Sequence, residues 1–172
     1  TPFSITLDDD PLVLPFIKAA TGWESSCFST VQQLYEQNFS EQPAVAFVDV
    51  HLGVDQCGLD AIPYIRSSFP LCPIIVITGD RGDEAIGQAL ATGANDFVRK
   101  PLNKAELAAR VRARIVEMSY FAANDTLAIG DIKLYRRYRI VERGSIKRNL
   151  SVTQMLLLET LYLAKGGVVS RE

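Results

Sequence analysis

Three charged segments constrain this chain more than any other feature: the acidic run Asp8-Asp9-Asp10, the aspartate closing Val45-Ala46-Phe47-Val48-Asp49, and Lys100-Pro101 after Asn95-Asp96-Phe97-Val98. Each follows a run that reads as a buried strand. A charge at the end of a continuous apolar strand needs a reason, and the simplest is an edge open to water. The three ends together imply one parallel sheet whose C-terminal edge gathers them, the edge where open α/β sheets bind ligands. Carboxylates beside a lysine at that edge suit a divalent cation and a phosphoryl group. Taken singly, each has a blander reading: a strand-end aspartate capping a loop, or an acidic run favoured by a helix dipole.

The intervening sequence supports such a sheet. Phe3–Leu7, Val45–Val50, Ile74–Thr78 and Asp96–Val98 predict strands, with a weaker one near Trp23–Phe28. Pro11 and Gly22 bracket a first helix. Ser29-x-x-Gln32 reads as a capping box opening a second, and Asn103-x-x-Glu106 as a similar start for the long Ala105–Met118 helix. Strands alternating with helices predict a five-stranded parallel α/β sheet, doubly wound, complete near Ser119. Residues 120–126 read as a linker.

Beyond it the pattern changes. Leu127–Leu134 and Arg139-Ile140-Val141 predict short antiparallel strands, with Gly144-Ser145 as a turn. Ser151-x-x-Gln154 predicts a capped helix through Ala164, ended by Gly166-Gly167, and Ser170 reads as the cap of a further helix. A segment of this size with one helix makes a poor core, so the expectation for 127–172 is a domain cut short.

Composition excludes several classes. Apolar residues make up 48% and the net charge is −2, and no apolar run approaches the ~18 residues of a membrane span. No signal peptide is evident. Cys27, Cys57 and Cys72 are odd in number and lack CxxC spacing, which predicts reduced thiols in a cytoplasmic protein. Charge is divided unevenly. Residues 1–119 hold 9 Lys/Arg against 15 Asp/Glu, and residues 120–172 hold 9 against 5. An acidic front half suits a metal site, and a basic back half suits contact with a polyanion.

Leu7-Asp8-Asp9-Asp10-Pro11, Val48-Asp49-Val50-His51-Leu52, Ile75-Val76-Ile77-Thr78-Gly79 and Phe97-Val98-Arg99-Lys100-Pro101 resemble, in order and spacing, the receiver domain of two-component response regulators. The resemblance covers residues 3–119 and implies the CheY/flavodoxin-like fold. It further implies that Asp49 accepts a phosphoryl group from the phosphohistidine of a sensor histidine kinase. Mg²⁺ would be held by Asp9, Asp49 and the backbone carbonyl of His51, with Asp8 acting through water. Lys100 would pair with the phosphoryl oxygens. Thr78 would donate its hydroxyl to the same group, and Phe97 would rotate inward as the Thr78 loop moves. The Lys100-Pro101 peptide would be cis.

The chain also departs from the family pattern. Gly53 stands where the family often has proline, and the loop from Leu52 to Gly58 reads as slightly long. His51 could lean over the site and alter phosphoryl lifetime. Asp96, Glu106, Arg110 and Arg112 fit the usual salt-bridge belt of a homodimer face formed by the fourth helix, fifth strand and fifth helix. Ile86, Gly87, Ala91 and Thr92 on the fourth helix supply none of its usual charges.

Residues 127–172 resemble the start of the winged-helix effector of OmpR/PhoB-type regulators, in the Leu127–Leu134 strands, the Leu150–Leu163 segment and Gly167–Glu172. In that family the recognition helix and wing come later, so residues 1–172 are not expected to bind promoter DNA specifically. Arg136, Arg137, Arg139, Arg143, Lys147 and Arg148 would add only sequence-blind phosphate contacts, or else form the solvated face of the sheet. The expectation is therefore a signalling protein, not an enzyme beyond its own Mg²⁺-dependent phosphorylation and dephosphorylation. An alternative is a phosphorylation-independent receiver acting as an interaction or dimerisation scaffold. A phosphohydrolase would carry a second aspartate two residues after Asp49, where His51 stands.

Overall fold

The computed structural model describes residues 2–53, 55–79 and 83–164, without the Asp83 side chain. Gly166-Gly167 and Val168–Glu172 lie outside them. The chain forms two compact units, Thr1–Ser119 and Tyr120–Glu172. Among the described residues no helix is long and apolar enough to cross a membrane.

The first unit opens with β1 (Phe3–Leu7), α1 (Val13–Thr21), β2 (Glu24–Phe28), α2 (Val31–Glu36) and β3 (Val45–Asp49). A short hairpin follows, β4 (His51–Leu52) and β5 (Gln56–Cys57), then a 3-10 turn and α3 (Ile62–Ser68). The rest is β6 (Ile74–Thr78), α4 (Asp83–Thr92), β7 (Asp96–Arg99) and α5 (Lys104–Asn124). The large sheet is parallel, in the order β2-β1-β3-β6-β7. Strand alternation explains its two apolar faces. Ala46, Val48, Ile74 and Val76 face a core with Leu34 of α2, Ile62 and Ile65 of α3 and Ala89 of α4. Their neighbours Phe47, Ile75 and Ile77 face a second core with Val13 and Ile17 of α1 and Leu107 and Val111 of α5. Burial on both faces accounts for strands that read as unbroken apolar runs. The strand order reverses between β1 and β3, so Asp8 and Asp49 leave adjacent strands at the switch point.

Local differences from expectation have local causes. The cap of α2 forms one residue later than Ser29: Thr30 Oγ1 accepts the Gln33 N–H at 3.2 Å, while Gln33 Oε1 accepts the N–H of Ser29, the residue before the cap, at 2.9 Å. Two adjacent hydroxyl residues compete for that role, and the one beside Val31 takes it. α1 starts at Val13, because Asp10 and Pro11 form a turn beneath it: Asp10 Oδ1 accepts the Leu12 N–H at 2.9 Å. Gly22 ends α1 at φ 76°, and Asn103 Oδ1 caps α5 through the N–H groups of Ala105 and Glu106.

Within 120–126 only Asp125 lies outside a helix or strand. Tyr120–Asn124 complete α5, where Ala122 and Ala123 favour helix, and Thr126 already opens a strand. The second unit holds β8 (Thr126–Ile129), β9 (Ile132–Tyr135), β10 (Ile140–Arg143), β11 (Ile146–Asn149) and α6 (Val152–Leu163). The four strands form an antiparallel sheet in the order β11-β10-β9-β8, with Gly130 and Gly144 at φ 61° and 58° in its tight turns. Ser151 and Gln154 form the expected reciprocal capping box of α6. Antiparallel strands followed by one helix fit a partial winged helix. Half of the basic cluster is ion-paired within this unit: Arg136 with Asp125 at 3.2 Å, Arg143 with Asp131 at 2.7 Å and Lys147 with Glu142 at 3.6 Å. Arg137 stacks on Phe121 at 4.2 Å. These partners favour the solvated-face reading.

Candidate functional site

Asp8 leaves β1 with its side chain fully buried, and Asp49 ends β3 nearly so. Lys100, arriving after β7, puts Nζ 2.6 Å from Asp49 Oδ2 and 3.2 Å from Asp8 Oδ2. Asp9 is exposed, and its Oδ2 accepts the Gly53 N–H at 3.0 Å. One oxygen from each of Asp8, Asp9 and Asp49 lies within 4.8 Å of the others. The sheet thus brings together the four charged residues the sequence singled out.

Electrostatics explain how two buried carboxylates coexist. Burial, with the Asp49 charge adding to it, raises the pKa of Asp8 above the ordinary 3.8, although the Asp10 N–H and Lys100 pull the other way. Asp8 Oδ1 accepts that N–H at 2.9 Å. Burial of Lys100 disfavours its charge, but the hydrogen bond to Asp49 and the charges of Asp49 and Asp8 outweigh it, so its pKa is raised. The three carboxylates offer hard oxygen donors, the set that Mg²⁺ takes while keeping some of its waters.

Thr78 is fully buried at the end of β6, and its carbonyl accepts the Lys100 N–H at 2.8 Å. Register pairs Thr78 with Arg99 and Val76 with Phe97, which sets Thr78 beside the strand that carries Phe97 and leads to Lys100. The Lys100-Pro101 peptide is cis. His51 is exposed, and its N–H lies 3.4 Å from Asp49 Oδ1. Phe97 is half-buried against the α2–α4 core, with the guanidinium carbons of Arg99 and Arg110 at 5.9 and 5.8 Å from its ring centre.

The belt of ion pairs forms within the chain. Arg110 reaches Asp96 and Glu106, both at 2.9 Å. Arg114, which the sequence reading did not single out, pairs with Asp96 at 3.5 Å and Glu117 at 2.7 Å. Arg114 lies one helical turn beyond Arg110 and so shares its face, whereas Arg112 is turned away from it.

Two residues near the site escaped the sequence reading. A Cβ on Gly58 would stand 1.9 Å from the Asp49 carbonyl oxygen, because the β4–β5 hairpin folds back onto the end of β3. The Gly58 N–H donates to the Val50 carbonyl at 2.9 Å. Cys27 Sγ lies 3.8 Å from the Asp8 carbonyl, and burial followed by the Asp8 charge raises its pKa. A glycine closing a loop after Asp49 was the one available signal; nothing in the sequence marked Cys27.

Residues 5–112 match the family described as response regulator receiver domain. The cell cycle response regulator CtrA of Brucella ovis is 30% identical over 128 residues, covering 74% of this chain and 54% of that protein. The chain therefore spans about half the length of the curated relatives it matches. Among solved structures, the BeF3-activated DrrB receiver domain is 27% identical over 68% of this chain and 98% of its own, with a TM-score of 0.59. DrrB, a Thermotoga maritima OmpR/PhoB homolog, is 25% identical, covers 99% of this chain and 76% of its own, and also gives a TM-score of 0.59. On the match over residues 5–112 and the five-stranded parallel sheet that carries it, this chain belongs to the response regulator receiver family.

Proposed function

We propose that this chain is a phosphorylation-driven response regulator whose phosphoacceptor is Asp49. The observation that carries this reading is Lys100 Nζ spanning Asp49 and Asp8, with Asp9 gathered at the same edge. A carboxylate oxygen of Asp49 attacks the phosphorus of a kinase phosphohistidine. The new O–P bond forms as the P–N bond breaks, and its electron pair returns to the imidazole. Lys100 is close enough to follow the charge from the carboxylate to the phosphoryl oxygens. Asp8, Asp9, Asp49 and the His51 carbonyl would hold Mg²⁺, which when bound offsets negative charge on the transferring group.

Thr78 and Phe97 then act as the switch. The Thr78 hydroxyl donates to the phosphoryl group, and Phe97 turns inward, altering the face formed by α4, β7 and α5. A phosphoaspartate adds charge and strong acceptors at one spot, which biases two discrete arrangements of these residues. The output is homodimerisation through that face and transcription control, in the cytoplasm, through a winged-helix effector. OmpR/PhoB-type likeness across both units supports this output.

Intact-mass measurement after incubation with a small-molecule phosphodonor tests the reading. A gain of one phosphoryl group in wild type with Mg²⁺, absent with EDTA and in Asp49→Ala, is the expected result. No gain in folded, Mg²⁺-binding wild type would instead favour a phosphorylation-independent scaffold.

A further inference from the structure

The Asp9 carboxylate is the exposed member of the cluster, while Lys100 holds the other two. Its donor is the main-chain N–H of Gly53, forty-four residues away, at 3.0 Å. Gly53 adopts φ 61°, and a Cβ there would meet nothing within 4 Å. Space is therefore not what glycine provides at this position. The left-handed backbone is, and it turns the N–H of the β4–β5 loop toward Asp9.

We infer that Gly53 is a positioning residue, whose N–H fixes one Asp9 oxygen and leaves the other available to a cation. An exposed aspartate without such an anchor would have to lose rotamer freedom when the cation arrives. Donors that orient a metal-ligating carboxylate raise affinity by removing that cost. Coupling is reciprocal, so a cation on Asp9 strengthens the bond that holds the turn. A proline at position 53 could do neither: it has no N–H and cannot take a positive φ. The metal-binding role of Asp9 comes from the proposed function, and this inference rests on it.

Calorimetric titration of the whole chain with Mg²⁺ tests it, using wild type, Asp9→Asn, Gly53→Pro and Gly53→Asn. Asparagine tolerates the left-handed conformation and keeps the N–H, so it is the conservative rescue. Gly53→Pro is expected to weaken Mg²⁺ binding about tenfold, and Gly53→Asn by no more than about twofold. A readout without metal accompanies it: the Gly53 amide resonance should shift in Asp9→Asn. Wild type that fails to bind Mg²⁺, or Asp9→Asn that binds as wild type does, would overturn the functional reading and this inference with it. Gly53→Pro binding like wild type, or Gly53→Asn weakened as much as Gly53→Pro, would overturn this inference alone. If Gly53→Pro does not fold, an unchanged Gly53 amide in Asp9→Asn overturns it.

Discussion

Gly58 shows how much one residue can settle without any side chain. A methyl group there would overlap the Asp49 carbonyl at 1.9 Å and press on Val48 Cγ1 at 3.2 Å. Both contacts are with β3, the strand that carries Asp49, the proposed phosphoacceptor, so relief must come from moving it. Gly58→Ala is expected to cost at least about 2 kcal/mol, as overpacking of a core does. The check is urea unfolding, joined to the amide resonances of Val50 and His51; an unchanged midpoint and spectrum would refute the close approach. Arg66 makes the complementary point. It is buried, and its guanidinium donates to the carbonyls of Pro70, Cys72 and Gly93 and to Asn95 Oδ1 at 2.7–3.0 Å. Asn95 Oδ1 also accepts the Ile74 N–H at 2.8 Å, tying α3 to the starts of β6 and β7. Arg66→Ala leaves several buried acceptors without donors and should destabilise the chain by on the order of 3 kcal/mol. A loss under 1 kcal/mol, on the scale expected of an exposed site, would count against this knot.

At the scale of elements, the second unit offers a titration. The Tyr135 hydroxyl donates to Glu142 Oε2 at 3.0 Å. Burial first, and then the bond and charge of that carboxylate, hold its pKa well above the ordinary 10.0. The folded state thus keeps a proton that the unfolded state has released. The resulting stability is complete below pH 10 and is lost as pH rises through the folded value. Tyrosinate absorbance should therefore show an ionisation step well above the ordinary 10.0, and Tyr135→Phe should remove it. A titration without that late step would contradict the Tyr135–Glu142 contact. The expected helices were legible from their caps at Asn103 and Ser151, since a cap and its partner lie three residues apart. The second helix was misplaced by one residue because two hydroxyls stood side by side.

For the whole molecule, both apolar cores are built from residues of the first unit, from Phe3 through Ile115. Residues 1–124, which keep α5 entire, should therefore fold alone and unfold in one cooperative transition. Calorimetry would check this; a broad, non-cooperative profile would show that the cores need the second unit. The basic cluster acts at this scale too. With Arg136, Arg143 and Lys147 already paired to acids, residues 1–172 should bind DNA weakly and without sequence preference. A salt-resistant, sequence-selective complex would overturn that expectation.

The parallel sheet and the gathering of Asp8, Asp9, Asp49 and Lys100 were legible in the sequence. Strand burial is written in consecutive residues, and a charge at a strand's end is fixed to that end by the covalent chain. What only the tertiary structure decided are approaches between segments far apart in sequence: Gly53 on Asp9, Gly58 against Asp49, Asn95 under Arg66. It also decided that Arg114 pairs with Asp96, and that half of the basic cluster is ion-paired within its own unit. Such contacts depend on how loops close and which distant segments they bring together, and neither leaves a periodic mark in the chain.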